Sequence, residues 1–195
     1  VNTKINIIDA FSNLVKNNSY NISRFFSSDF NDLIIKTLKF ESFDIVLLES
    51  LFTTPYIKTV RSYSKSKIIL RSHNIEFIVW KRLSIKNNNP LKKLYLKLLS
   101  IQLKNYELGI LKKIDGIATI SNEEKNKYIE FECPLKIATI PFGIETKNYK
   151  NKTKNKEDDK IKFFHLGSMD WKPNLEAVSW LLDEIWPKIQ KKIPN

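Results

Sequence analysis

Along this chain, short blocks of consecutive apolar residues alternate with longer stretches in which an apolar residue returns every third or fourth position. The blocks suit strands of a parallel sheet buried on both faces, and the stretches suit helices laid across it. Strands are predicted at 43–49 (FDIVLLE), over Ile68, Ile69 and Leu70, at 115–120 (DGIATI), at 136–140 and at 161–166 (IKFFHL). Ser28 or Asp29 caps a first helix with Phe30, Leu33, Ile34 and Leu38 along one face. A second begins at Thr54 with Pro55 in its first position, and Tyr56, Ile57 and Val60 face inward. A third is capped by Asn74 and runs through Phe77, Trp80 and Leu83.

Asn89 and Pro90 open a long helix reaching about Lys112. Its inward stripe is read as Leu91, Leu94, Leu98 and Ile101, widened by Leu99, Leu103 and Ile110, with Glu107 a surface charge. Ser121 and Glu124 form an S-x-x-E capping box for the next helix. A last helix starts at Pro173 or Asn174, buries Leu175, Val178, Leu181, Leu182 and Ile185, and ends at Pro187. Strand and helix alternate throughout, so the expected class is α/β with a parallel sheet.

Composition divides the chain. Residues 147–160 are almost wholly polar and read as a solvated linker, followed by a fresh strand–Gly–helix unit. The expected organisation is a domain at 1–145, a linker at 146–160 and the start of a second domain at 161–195. The net charge of +12 suggests an anionic partner, yet 29 of the 33 basic residues are Lys. With 19 Asn and 26 Ile, this fits an AT-rich coding bias better than a nucleic-acid surface, which would lean on Arg. Cys133 is the single cysteine, so no intrachain disulfide forms, as in a reducing cytoplasm. No Ser-His-Asp set and no Cys/His metal spacing is present, and Asp158 and Asp159 read as solvated charge rather than a metal site.

Candidate chemistry gathers in RSHNIE at 71–76, the carboxyl end of one predicted strand and the mouth of a helix, where open α/β sheets bind ligands. His73 is the leading residue. Glu76 either orients it or is a first-turn carboxylate favoured by the helix dipole. His165 reads as a structural mid-strand residue, and Trp171 is left open.

RSHNIE, DGIATIS at 115–121, IPFGIE at 140–145 and LGSMDWKPNLEAVSWLL at 166–182 occur in that order. Together they resemble a bacterial family-4 glycosyltransferase of the two-domain GT-B type. The resemblance covers most of the chain from about Phe43 onward, and GSMDWKPN is its most specific phrase. It implies a Rossmann-like acceptor domain lacking its first strand–helix unit, followed by a truncated Rossmann-like donor domain. It also implies retaining, metal-independent transfer, without a cofactor, from a nucleotide-sugar to a lipid-linked or cell-envelope saccharide. On this resemblance His73 lies in the reaction cleft, and Arg71, Asn74, Glu76, Ser121, Gly143 and Glu145 are substrate-side residues. Gly167, Ser168, Lys172 and Asn174 are expected at the donor diphosphate.

Two departures stand out. Ser168 occupies the place where many relatives carry Arg, with Lys172 as a substitute, and the E-x7-E carboxylates that hold the donor would follow Asn195. The chain alone is therefore expected to be inactive. A non-catalytic α/β binding module or degenerate relative, or another GT-B enzyme such as a sugar-nucleotide epimerase, is the alternative. Lys86, Lys92, Lys93, Lys97 and Lys104 beside Trp80, Leu91 and Tyr95 suggest peripheral contact with an anionic membrane from the cytoplasmic side.

Overall fold

The computed structural model describes residues 20–148, 163–170 and 172–193. The chain divides into two compact units, Val1–Ile144 and Glu145–Asn195. In the first, α1 (Tyr20–Ser23) and α2 (Ser28–Phe40) precede β1 (Ile45–Glu49), a 3-10 turn (Leu51–Tyr56), α3 (Ile57–Tyr63) and β2 (Lys67–Ser72). Then come α4 (Glu76–Ile85), α5 (Pro90–Ile110), β3 (Gly116–Thr119), α6 (Asn122–Glu130) and β4 (Lys136–Thr139). The four strands form one all-parallel sheet in the order β1-β2-β3-β4, so the unit is a Rossmann-like α/β fold with flanking helices.

That order explains a departure from the sequence reading. Strands laid down in simple succession with right-handed crossovers send their connecting helices to the same face. Burial follows this rule. Leu48 pairs in register with Leu70, and Leu70 with Ile117, and all three are sealed on the covered face. Leu47 and Ile69, register partners on the other face, are exposed and half-buried respectively. β1 and β2 are therefore not buried on both faces, and among the described residues β1 is an edge strand, with Ile45 as well as Leu47 exposed.

The helix faces give a second correction. In α5 Leu99, Leu103 and Ile110 are buried as expected, together with Leu96, Ser100 and Glu107, while Leu91, Leu94, Leu98 and Ile101 are exposed. Both sides of the helix are leucine-rich, so apolar spacing alone does not choose between them. The choice is made by Ser100 and Glu107, which find hydrogen-bond partners on α4 and so bury the side that looks less apolar. Its start is as expected, with Asn89 accepting from the Lys92 N–H at 3.1 Å. In α2 the cap is Ser27, one residue early, and no residue of that helix is fully buried.

At the amino edge of the sheet, Asp115 joins β2 to β3. Its Oδ2 accepts from the Ile68 N–H at 2.7 Å and from Arg61 at 2.7 Å. The Ile68 amide first, and Arg61 after it, hold this carboxyl below its ordinary range.

In the second unit, α7 (Lys172–Trp180) passes through a π turn (Leu181–Ile185) into α8 (Trp186–Lys192). The helix does not end at Pro187. The π turn interrupts the i→i−4 ladder, and Pro187 takes an early position of α8, where its missing N–H costs nothing. The predicted strand is absent at Phe163–Leu166, the part of it that is described, because a strand needs a neighbour to satisfy its backbone and none is described in this unit. Leu175 and Leu182 are correspondingly exposed rather than buried. Most of the linker and Trp171 lie outside the described residues.

Candidate functional site

The carboxyl ends of β1 and β2 bring three side chains together. Glu49 and Arg71 are register partners at the end of the β1–β2 ladder, and His73 follows two residues after Arg71. Arg71 Nη1 lies 3.5 Å from Glu49 Oε1, and His73 Nε2 lies 3.0 Å from Glu49 Oε2. A carboxylate only accepts, so Nε2 of a neutral imidazole donates to it and Nδ1 becomes the ring's acceptor.

Phe142, in the loop after β4, closes this group from the side. Its ring centroid is 4.9 Å from the Arg71 guanidinium and 5.5 Å from the imidazole, which meets it edge-on. Arg71 Nε is shielded from solvent and has no hydrogen-bond partner. The arrangement offers an oriented imidazole, a guanidinium and an aromatic face on one sheet edge.

Beneath it runs a buried polar chain. Ser72 Oγ donates to the Asn74 carbonyl at 3.1 Å and lies 3.0 Å from the Tyr128 hydroxyl, which in turn is 3.4 Å from Glu107 Oε1. Glu107, 1% exposed, accepts the first-turn N–H groups of α4, Glu76 N at 3.3 Å and Phe77 N at 3.2 Å. A side chain of α5 thus satisfies amides that α4 does not satisfy itself. This corrects the sequence reading twice. Glu107 is no surface charge, and Asn74 is not the cap, because Ile75 occupies the N-cap position and its side chain carries no hydrogen-bonding group.

Burial pushes the Glu107 carboxyl up to about 8, against the pull of the two amides. Protonated, it donates to Tyr128, whose hydroxyl donates to Ser72 and Ser72 to the Asn74 carbonyl. Ionised, it accepts from Tyr128 instead. Burial also raises the Tyr128 hydroxyl, with the neighbouring Glu107 charge adding to it. Glu76 is raised by burial, with Asn74 and His73 drawing it back.

The remaining predicted residues are dispersed. Ser121 caps α6, its Oγ accepting from Glu124 N at 3.2 Å and donating to Glu124 Oε2 at 3.2 Å, as the capping box requires. Asn74 and Ser121 line a small neighbouring cleft of about 170 Å³ with Arg82 and Lys127, separate from the Glu49–His73 pair. Gly143 has open space where a side chain would go, and Glu145 is exposed.

In the second unit Asn174 Nδ2 donates to the Ser168 carbonyl at 2.9 Å, tying the helix start to the loop. A Cβ on Gly167 would come within 2.8 Å of the side-chain ends of Asn174 and His165, which would have to turn aside to admit it. His165 is thus a loop residue and not a mid-strand one. The side chain of Lys172 lies outside the described residues. Among the described residues no group of three or more His, Cys, Asp or Glu is placed to hold a metal ion.

Glu49 is the member that the sequence reading missed. Its signal was available: it ends a predicted strand adjacent to the one carrying Arg71, and parallel register puts the two strand ends side by side. Set against family models, curated proteins and solved structures, the chain matches none of them.

Proposed function

We propose that the chain belongs to a glycosyltransferase of the GT-B type, with the first unit on the acceptor side and the second at the start of the nucleotide-sugar side. One observation carries the proposal: His73, fixed by Glu49 and flanked by Arg71 and Phe142, at the carboxyl edge of a parallel sheet. That edge is the ligand-binding edge of open α/β folds. The ordered motifs RSHNIE, DGIATIS, IPFGIE and GSMDWKPN support the same reading.

In this reading His73 Nδ1 accepts from a hydroxyl of the saccharide and holds it in the reacting orientation, with Glu49 keeping the ring's tautomer and direction. Arg71 supplies a positive charge suited to the negative charge that grows on a leaving diphosphate. Phe142 supplies an apolar face for a sugar ring. The Gly167–Ser168 loop, tied to the helix start by Asn174, is where backbone N–H groups would meet the diphosphate.

Saturation-transfer NMR with short oligosaccharides and a panel of nucleotide-sugars tests this on the whole chain. The expected result is saccharide contact that disappears in His73→Ala while the melting temperature stays within a few degrees. Absence of contact with every saccharide and every nucleotide-sugar overturns the proposal. So does undiminished contact in His73→Ala.

A further inference from the structure

The longest helix of the first unit turns leucines toward solvent. Leu91, Leu94, Leu98 and Ile101 of α5 are all exposed, at 79%, 56%, 40% and 49%. With 3.6 residues per turn, they fall within an arc of about 80° opposite the buried face, a stripe about 15 Å long. Lys93 and Lys97, both exposed, occupy the adjoining row, with Lys104 in line beyond them. The single carboxylate of α5, Glu107, is on the buried side, so the outward face has an apolar centre, a cationic border and no acid. Where α4 passes to α5, Ile85 is exposed at 63% and Lys86 follows it.

Soluble proteins rarely leave an ordered apolar stripe of this kind uncovered. No helix among the described residues is long and apolar enough to cross a membrane. A lysine-bordered apolar face on a helix too polar to span is the pattern of helices that lie in a bilayer interface. We infer that α5 lies flat on an anionic lipid surface. Its leucines enter the headgroup boundary, and its lysines extend their alkyl stems along the apolar zone to reach phosphate. Charge chooses the occupant. The lysine border is cationic and the chain carries a net +12, which opposes close approach of a second copy and favours an anionic sheet. The inference does not depend on the transfer reading.

Co-sedimentation with vesicles of phosphatidylcholine, alone or mixed with phosphatidylglycerol, tests it. Association is expected to be at least ~10-fold stronger with phosphatidylglycerol and to weaken as salt rises. Leu94→Glu with Leu98→Glu should abolish it, and Lys93→Gln with Lys97→Gln should reduce it and flatten the salt dependence, with circular dichroism and melting temperature unchanged. Equal association with both vesicle types, or none, overturns the inference. So does a concentration-dependent dimer that the leucine variants dissolve, which would assign the face to a second copy.

Discussion

Glu49 and Arg71 face each other across the β1–β2 ladder, and the second oxygen of the same carboxylate holds His73. This is an exposed arrangement, with Glu49 half accessible, so its contribution to folding is small, about 1 kcal/mol or less. Its effect lies in orientation. Glu49→Gln should leave the urea midpoint almost unchanged while lowering saccharide affinity about 10-fold or more. Binding titrations read beside urea curves check this, and a variant that loses stability but not affinity would make Glu49 a strand-pairing residue only.

Glu107 gives the clearest dependence on pH. Its folded value, about 8, stands above its unfolded value of 4.5, so folding favours the protonated form. The corresponding stability is fully present below pH 4.5 and is lost progressively as pH rises toward and through 8. The slope is at most about 1.4 kcal/mol per pH unit in that window. Glu76 is shifted the same way, so the comparison must be with Glu107→Gln, which removes only the Glu107 part. Unfolding free energies measured from pH 5 to 8.5 should fall in the native chain and run visibly flatter in the variant.

Tyr128 links that carboxyl to the strand end. Tyr128→Phe keeps the ring in the core but leaves Ser72 and Glu107 each one partner short, at a cost of about 1–2 kcal/mol. Hydrogen exchange should report faster opening of the Glu76 and Phe77 amides, since Glu107 then loses the contact that fixes it. Unchanged protection at both amides would mean that the two N–H bonds hold Glu107 unaided.

The strand ends were legible before the fold was seen, and the reasons are local. Ser121 caps α6 with its own neighbour Glu124, and Asn89 caps α5, so both helix starts are written in a few adjacent residues. β2 carries His73 to the expected edge because strand, turn and helix follow one another directly in the sequence. What was not legible depends on distant segments. The cap of α4 comes from Glu107, 30 positions beyond Phe77, and no local pattern announces it. In α5 the spacing points inward correctly at Leu99, Leu103 and Ile110 but not at Leu91, Leu94, Leu98 and Ile101, because the partners of Ser100 and Glu107 that fix the buried side lie on another helix. The strand expected before Gly167 had the right composition and lacked a neighbour, which composition does not supply.

The two faces of α5 can be told apart by one pair of substitutions. Leu103 is 0% exposed within the core cluster, and Leu103→Ala should cost about 3 kcal/mol through lost burial and a cavity. Leu98 is on the outer stripe, and Leu98→Ala should cost about 1 kcal/mol or less. Urea unfolding of both variants measures the difference, and equal losses would mean that both faces are covered in solution.

Ser50, directly after Glu49, offers the last test. Its φ of 91° and ψ of 162° lie in a region that suits glycine and strains a residue with a Cβ by about 1–3 kcal/mol. The contacts that hold it there use only its backbone: its N–H donates to the Arg71 carbonyl at 3.1 Å, and its carbonyl accepts from Thr53 Oγ1 at 2.8 Å. Glycine keeps all of these. It removes the steric conflict and adds back about 0.5–1 kcal/mol of unfolded-chain entropy, so the balance favours the variant. Ser50→Gly should therefore stabilise the chain by about 1 kcal/mol, raising the melting temperature by about 2–4 °C. Because the strained turn fixes the direction in which Glu49 leaves β1, the same substitution should loosen the Glu49–His73 pair. The combination to look for is a higher melting temperature with weaker saccharide contact. A fall in melting temperature would show that the turn carries no relievable strain and that the serine hydroxyl supports it.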